Sequence, residues 1–169
     1  MGGNDLISIR DLTRDGIREI FELTDRMDKR LASDAKPLKN AVIATLFFEP
    51  STRTRFSFQS AAARLGADVL SMEDINTTSA AKGETFVDTI KTIDGYCDLI
   101  IIRHKLEGSA RLAAEIAEHP VVNAGDGGNQ HPTQTLIDLY SIRRFKKRIE
   151  KTSVCLFGDL KYARTMRSL

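Results

Sequence analysis

The stretch AVIATLFFEPSTRTRFSFQSAAARL, residues 41–65, decides the fold. Residues 41–48 carry no charge, are rich in Val, Ile and Phe, and are followed by Glu49. They therefore predict a strand buried on both faces of a parallel sheet. Pro50 cannot donate to a strand ladder and therefore ends the strand. A helical pattern begins at once, and the whole stretch predicts a strand, a turn and a helix.

The turn that follows this strand is rich in hydrogen-bond donors. Ser51, Thr52 and Thr54 can cap the helix, and the backbone N–H groups of its first turn are expected to point to the same place as Arg53 and Arg55. The alternative is an ordinary capped helix whose arginines lie in solvent. The density of donors directly after a buried strand favours an oxyanion site.

Length and composition describe a soluble globular protein. The chain has 169 residues, of which 41% are hydrophobic and 28% charged, and its formal net charge is +2. These values exclude disorder over the whole chain, and the near balance of charge indicates neither nucleic acid nor membrane as a partner. Residues 1–10 lack the apolar core of a signal peptide and no segment is long enough to cross a membrane, so we expect a cytoplasmic protein.

The two cysteines do not predict a metal or disulfide site. Cys97 and Cys155 lie far apart, and neither a second pair nor nearby histidines accompany them. Both side chains are therefore predicted to be small buried hydrophobes.

Beyond the opening stretch, helical and strand patterns alternate. Thr13 is predicted to cap a helix whose apolar residues recur every three or four positions. Each strand between residues 41 and 125 is followed by a helix, which predicts an α/β fold with a parallel sheet, helices on both faces and right-handed crossovers. Strands are predicted at 67–72, 98–102, 121–124 and 152–157, and helices ending near 95, at 108–119, at 133–148 and from 158 onward.

The segment 73–82, EDINTTSAAK, is polar and without periodicity. It is longer than most connections in compact domains, and loops of this length are often functional. It carries Thr78, Ser79 and Lys82. From the residues alone, Lys82 can equally be an exposed surface lysine.

A strand end and a glycine-rich loop supply two further candidates. Arg103 follows the strand 98–102, and ligands gather at the carboxyl ends of strands in open parallel sheets; the alternative is a salt bridge at the strand end. The loop 125–131 is rich in glycine, which indicates a close approach of its backbone to another group. It ends in His131, and a lone histidine before proline is usually a loop residue without a role.

The run RRFKKR at residues 143–148 combines cations with an aromatic ring. Such a run can be a nucleic-acid patch. Cations in the last turns of a helix are favoured by the helix dipole and usually form a solvated face, so we predict no nucleic-acid partner.

Three motifs resemble those of one enzyme family. Residues 48–56, FEPSTRTRF, are similar to the phosphate-binding signature of the carbamoyltransferases, the family that includes the aspartate and ornithine carbamoyltransferases. Residues 129–140, NQHPTQTLIDLY, match the family's HPTQ motif, and a match of this length is hard to obtain by chance. Residues 82–84, KGE, followed by Asp88 and Thr89, resemble the mobile loop of the aspartate enzymes.

The resemblance implies a domain organisation. Residues 1–148 resemble the carbamoyl-phosphate-binding domain, including a linking helix at 133–148, and residues 149–169 resemble a truncated start of the aspartate-binding domain. It also implies a homotrimer with shared sites, and it leaves a separate regulatory chain open. No metal, nucleotide or other cofactor is implied.

Site roles are likewise implied by the resemblance. Transfer of a carbamoyl group requires donors that polarise the carbonyl and neutralise the departing phosphate. Arg53 is expected to follow the departing charge, and Gln134 to accept from the carbamoyl amine, while a neighbouring subunit supplies Lys82 and a hydroxyl, either Thr78 or Ser79. The expected carbamoyl-phosphate contacts are Ser51, Thr52, Arg53, Thr54, Thr78, Lys82, Arg103, His131 and Gln134, with Arg53, Thr54, Arg103, His131 and Gln134 as the catalytic residues.

Residues 158–165, GDLKYART, resemble the GDLKYGRT motif of the aspartate enzymes. This implies that Arg164, with Lys82, binds the carboxylates of L-aspartate, although Arg164 can alternatively pair with Glu49. The implied reaction gives N-carbamoyl-L-aspartate and phosphate, a step of pyrimidine biosynthesis. The alternatives are a related carbamoyltransferase such as the ornithine enzyme, and a non-catalytic fragment that binds carbamoyl phosphate and forms trimers.

Overall fold

The computed structural model describes residues 5–30, 36–73 and 83–158, and their side chains except at 28–30. A short 3-10 turn at Ile9–Asp11 precedes the first helix. The helices are α1 (Arg14–Arg30), α2 (Thr52–Leu65), α3 (Phe86–Asp94), α4 (Ser109–Ile116) and α5 (Pro132–Lys146). The strands are β1 (Val42–Phe47), β2 (Asp68–Met72), β3 (Leu99–His104) and β4 (Val121–Asp126).

The four described strands form one parallel sheet in the order β2-β1-β3-β4. The predicted α/β fold with a parallel sheet is confirmed. The charge-free strand β1 lies inside the sheet, where Ala44 pairs with Leu70 of β2 on one side and with Ile100 of β3 on the other. Because both edges of β1 are paired and both of its faces are covered, it has no place for a charged side chain.

The core has two layers because successive strand residues point to opposite faces of the sheet. On one face, Leu46 packs in a cluster with Ile90 of α3 and Ala110 of α4. On the other face, Phe47 packs in a cluster with Ala62, the buried residue of α2. Helices therefore cover both faces, with α3 and α4 on one and α2 on the other.

Helix α2 ends at Gly66, which has a φ angle of 91°. Its N–H group reaches the carbonyl oxygens of Ala62 and Ala63, and this closes the last turn. A Cβ atom at this position would lie 2.6 Å from the Cβ of Lys36. Both the backbone angle and the close approach therefore require glycine.

Thr13 caps α1 as predicted, since its hydroxyl oxygen accepts from the Gly16 amide at 3.1 Å. The predicted helix 108–119 is shorter, because the amides of Glu118 and His119 donate to the Asp94 carboxylate instead of continuing α4. Of the helices in the described ranges, none combines the length and apolarity that a membrane crossing requires.

The predicted strand at 152–157 is wrong. These residues form no strand, and the side chains of Val154, Leu156 and Phe157 are exposed, Phe157 at 94%. A strand forms only beside a partner with which its backbone can pair. This segment pairs with none of the four described strands, and its apolar side chains are exposed.

The prediction for the cysteines is half right. Cys97 is buried, and this burial raises the pKa of its thiol. Cys155 is exposed, because it belongs to the segment that does not join the sheet. Both thiols are free.

Candidate functional site

A cleft of about 1030 Å³ lies at the carboxyl edge of the sheet, beside the N-termini of α2 and α5. Among the described residues that line it, none is a carboxylate, whereas Arg53 and Arg103 contribute two positive charges. Glu49 balances the charge of Arg103, so it is the charge of Arg53 together with the hydrogen-bond donors of the lining that favours an anion. Its polar lining residues are Ser51, Thr52, Arg53, Thr54, Ser57, Arg103, His131, Thr133 and Gln134.

The N-terminus of α2 supplies backbone donors to this cleft. The Arg55 amide makes the first intrahelical bond, to the Ser51 carbonyl at 3.2 Å, so the preceding amides of the first turn have no intrahelical acceptor. Ser51 is the N-cap residue, but its side chain makes no capping bond, unlike the prediction. An anion can take the place that a capping side chain usually holds.

Arg103 stands in β3, where the strand reaches the cleft. Its Nε donates to Glu49 Oε1 at 2.7 Å, and its Nη1 donates to Thr54 Oγ1 at 3.4 Å and to the Ala124 carbonyl at 3.2 Å. The side chains of Arg103 and Glu49 are 12% and 17% exposed. Three neighbouring segments thus fix one guanidinium at the cleft wall, and the salt bridge expected as an alternative is present.

His131 and Gln134 reach the cleft from the start of α5. His131 is buried and is the N-cap residue of this helix, which begins with Pro132 at its first position. The Thr133 hydroxyl lies 3.2 Å from His131 Nδ1. Gln134 Nε2 donates to Asp138 Oδ1 at 3.0 Å, which leaves the amide oxygen of Gln134 to act as an acceptor.

A buried polar network holds the loop that leads to His131. The Asp126 carboxylate accepts from the Gly108 amide at 2.9 Å, from the Gln130 amide at 3.2 Å and from Asn123 Nδ2 at 3.1 Å. Gln130 Oε1 in turn accepts from the Ser8 hydroxyl at 2.6 Å. The network anchors both ends of the loop, and the glycines predicted to allow a close approach lie within it.

Most of the predicted site residues meet at the cleft, and four others lie outside the residues that the structure describes. Arg55 does not share the place expected for it, because it pairs with Glu73 and stacks on the ring of Phe56 at 4.8 Å. The residues that meet at the cleft are Ser51, Thr52, Arg53, Thr54, Arg103, His131 and Gln134. Thr78, Ser79, Lys82 and Arg164 lie outside the described residues.

The sequence interpretation gave no role to Asp126 and named Glu49 only as a possible partner of Arg164. Both are buried or nearly so and both position other groups of the site. A signal was present, because each stands at the carboxyl end of a predicted strand, the same argument that selected Arg103. The partners of these carboxylates were not predictable, since they come from distant parts of the chain.

A second cavity of about 490 Å³ lies between α1 and the end of α5. It is also cationic, with Arg14, Arg18, Lys147 and Arg148 among its lining residues and Glu150 as the carboxylate. The buried donors described above are not part of it. It nevertheless gives an anion an alternative place on the molecule.

Comparison with known proteins identifies one family. The family model described as aspartate/ornithine carbamoyltransferase, carbamoyl-P binding domain, matches residues 4–144. The aspartate carbamoyltransferase catalytic subunit of Thermococcus onnurineus (strain NA1) is 52% identical over an alignment of 169 residues, which covers 99% of this chain and 54% of the relative. The chain therefore spans about half the length of the curated relatives that it matches.

Solved structures agree with this result. The catalytic subunit of M. jannaschii aspartate transcarbamoylase matches with a TM-score of 0.91 and 48% identity, over 98% of this chain and 55% of that chain. Aspartate transcarbamoylase from Trypanosoma cruzi, solved in complex with carbamoyl phosphate and aspartate, matches with a TM-score of 0.92 and 34% identity, over 98% of this chain and 55% of that chain.

Proposed function

The chain belongs to the aspartate/ornithine carbamoyltransferase family through its carbamoyl-P binding domain, and we propose that it supplies the carbamoyl-phosphate half of an aspartate carbamoyltransferase. The complete enzyme transfers the carbamoyl group from carbamoyl phosphate to the amino group of L-aspartate. The products are N-carbamoyl-L-aspartate and phosphate, in a step of pyrimidine biosynthesis. The names of the relatives support aspartate over ornithine as the acceptor.

The observation that carries this proposal is the convergence of donors in one cleft. The first turn of α2, Arg53, Arg103 and His131 all line it, and no described lining residue is a carboxylate. A dianionic phosphate with a neighbouring carbonyl needs this combination of positive charge and hydrogen-bond donors.

We assign the phosphate to the N-terminus of α2. The amides of Ser51, Thr52 and Thr54 and the hydroxyls of Ser51 and Thr52 can donate to its oxygens, and the dipole of α2 favours the negative charge. Arg53 is exposed at this turn, so its guanidinium is free to follow the phosphate as it departs with its full charge.

We assign the carbonyl oxygen of the substrate to Arg103, Thr54 and His131. Negative charge develops on this oxygen as the tetrahedral centre forms, and donors already held in place cost no reorganisation. If Nδ1 of His131 accepts from the Thr133 hydroxyl, the ring carries its proton on Nε2, where it can be donated. Gln134, whose Nε2 is taken by Asp138, presents its amide oxygen to the carbamoyl amine.

The acceptor half of the site is proposed from the resemblance alone. Arg164 binds a carboxylate of L-aspartate, and Lys82 contributes from a neighbouring subunit together with Thr78 or Ser79. Residues 1–148 form the carbamoyl-phosphate-binding domain and residues 149–169 begin the aspartate-binding domain. The failure of 152–157 to join the sheet described above supports this boundary, since that segment does not complete the first domain.

The proposed assembly is a homotrimer with shared sites. Its test is to mix complete chains that carry Lys82→Ala with complete chains that carry Arg53→Ala. Hybrid trimers would contain one type of site with both residues intact, and some activity should return. Verified hybrids without activity would exclude a shared site.

Two further proposals concern the setting of the enzyme. The relatives are named catalytic subunits, which supports a separate regulatory chain as a partner of the complete enzyme. The second proposal is a cytoplasmic location, as expected from the sequence.

Calorimetric titration of the 169-residue chain with carbamoyl phosphate, with and without aspartate, tests the proposed function. We expect carbamoyl phosphate to bind, and we expect no useful turnover in an assay for N-carbamoylaspartate, because orientation of the amine needs the other half that the relatives contain. Binding without turnover is the behaviour expected for the alternative of a non-catalytic fragment, and we expect it for the isolated chain. Absence of carbamoyl-phosphate binding would contradict the proposal, and carbamoylation of ornithine by the complete enzyme would favour the alternative acceptor.

A further inference from the structure

His104 is the residue next to Arg103, and its ring is buried on the opposite side of β3 from the cleft. It is 7% exposed, and it does not line the cleft. The proposed reaction gives it no task. A buried histidine beside a site residue therefore requires a separate explanation.

The ring joins the turn after β3 to its own strand. Nδ1 of His104 accepts from the Leu106 amide at 2.9 Å. The Ser109 hydroxyl lies 2.9 Å from the same nitrogen and 2.9 Å from the Leu106 carbonyl oxygen. Because Nδ1 accepts the amide proton, the neutral ring carries its own proton on Nε2.

The ring also packs against two segments that come from other parts of the chain. Its centroid lies 5.0 Å from that of Phe48, which precedes the Arg103 partner Glu49, and 5.5 Å from that of Phe86, the first residue of α3. The two phenylalanine rings are 5.8 Å apart, so the three rings form one cluster. The backbone of His104 continues this connection, because its carbonyl accepts from the Gly127 amide at 2.8 Å.

The charges around the ring are mixed. Burial and the charge of the adjacent Lys105 lower the pKa of His104, and the hydrogen bond with the Leu106 backbone and the Glu49 carboxylate act in the opposite direction without outweighing them. Asp126 pairs with His104 in the β3–β4 register, and Glu107 stands in the turn that the ring holds. The lowered pKa agrees with a neutral ring whose Nδ1 is an acceptor.

We infer that His104 is a positioning residue for the anion cleft. In its neutral form, with the proton on Nε2, it holds the turn after β3, the segment that begins at Phe48 and the start of α3 in the arrangement that places Arg103 and the N-terminus of α2 at the cleft. The inference rests on the proposed function, because the cleft is taken to bind phosphate.

The test compares two replacements in the 169-residue chain. His104→Phe keeps an aromatic ring between the two phenylalanines but removes the acceptor. His104→Asn loses the ring but keeps an oxygen near the place of Nδ1. The control is His119→Phe, which changes a histidine on the amino edge of the sheet. Binding of inorganic phosphate is measured by calorimetry and folding by thermal denaturation.

We expect both replacements of His104 to weaken phosphate binding, His104→Phe about five- to tenfold because the turn loses its acceptor, and His104→Asn because the Phe48 and Phe86 rings lose their partner, while His119→Phe stays within about twofold of the unaltered chain. A purely structural role would lower the melting temperature without changing the phosphate affinity of the folded protein. Equal affinity in folded His104→Phe therefore overturns the inference.

Long-range ¹H–¹⁵N spectra of the histidine rings give an independent result. A proton on Nε2 with an unprotonated Nδ1 supports the inference, and the other tautomer or a charged ring at neutral pH overturns it. This holds even if His104→Phe does not fold. If the unaltered chain binds no phosphate, the proposed function fails. The inference is then decided by the tautomer and by the amide shifts of Thr52 and Thr54 in the His104 variants. Shifts that move support it, and shifts that stay in place overturn it.

Discussion

At the amino edge of the sheet three carboxylates accept from backbone amides, whereas the carboxyl edge presents arginines and helix N-termini to a cleft. Asp98 accepts from the Val42 amide at the start of β1, and Asp5 accepts from the Val121 amide at the start of β4, both at 2.8 Å. Asp94 accepts from two amides just before β4. Each of these carboxylates uses its oxygens on the backbone of the same chain.

The difference follows from the polarity of a parallel sheet. The first residues of the strands expose N–H groups, and short acidic side chains satisfy them. The last residues are followed by helices whose N-terminal N–H groups need acceptors. One edge is therefore completed within the chain, and at the other edge the donors converge on a cleft that an anion can fill.

The largest effect is expected from Arg103→Ala, which breaks the carboxyl edge. It leaves Glu49 nearly buried without its guanidinium, so the free energy of unfolding should fall by about 3 kcal/mol or more. Phosphate affinity should fall about 10- to 100-fold through loss of a charged donor. Urea denaturation and calorimetry measure the two effects.

The matched control is Arg111→Ala, which removes an arginine paired with Asp11 at 2.6 Å on a more exposed surface. Its cost should stay below about 1 kcal/mol, with unchanged phosphate binding. Similar losses of stability and phosphate affinity in both variants would contradict the role assigned to the Arg103–Glu49 pair.

Arg53→Ala should separate binding from stability. Arg53 is exposed, so the free energy of unfolding should change by less than about 0.5 kcal/mol, while phosphate affinity falls about 10-fold or more. Arg64→Ala, at the other end of α2, should change neither quantity. In a complete enzyme Arg53→Ala should abolish carbamoyl transfer, and full activity there would refute the role of this arginine.

Asp94→Asn tests the amino edge, and its effect should be on stability alone. Burial raises the pKa of Asp94, but the Glu118 and His119 amides and the His119 ring outweigh this and hold it below the ordinary value. The carboxylate therefore stabilises the fold at pH values above about 3.9, the unfolded pKa, and this contribution is lost as the pH falls through the folded pKa.

The expected cost of Asp94→Asn at neutral pH is about 1–2 kcal/mol, and phosphate affinity should not change. Urea denaturation at several pH values should show that the two proteins differ at neutral pH and converge in acid. A difference that grows as the pH falls would have the wrong sign for a carboxylate with a lowered pKa.

The smallest effect is expected in the segment 152–157, which lies at neither the amino nor the carboxyl edge of the sheet. Phe157→Ala should change the free energy of unfolding by less than about 0.5 kcal/mol, because the ring is 94% exposed. Ile100→Ala, at a fully buried position, should cost about 2–5 kcal/mol. A large loss in Phe157→Ala would show that this segment packs on the domain after all.

The sequence predicted the carboxyl edge better than the amino edge, for a physical reason. Donors such as Arg53 follow a buried strand directly, so they are visible in a local pattern. Asp98 and Asp5 act on amides 56 and 116 positions away, and no local pattern reports such a pairing. The run at 152–157 shows the opposite failure, since its local pattern is that of a strand but pairing depends on neighbours.

The most direct measurement is a titration of the ¹⁵N-labelled chain with inorganic phosphate, followed through the backbone amide shifts. Binding at the carboxyl edge predicts saturable shifts at residues 51–54, at Arg103 and at 131–134, with little change at Asp94 and Asp98 on the amino edge. Shifts confined to Arg14, Arg18 and the other residues of the α1–α5 cavity, or no saturable shift at all, would contradict the assignment of the anion site to the carboxyl edge.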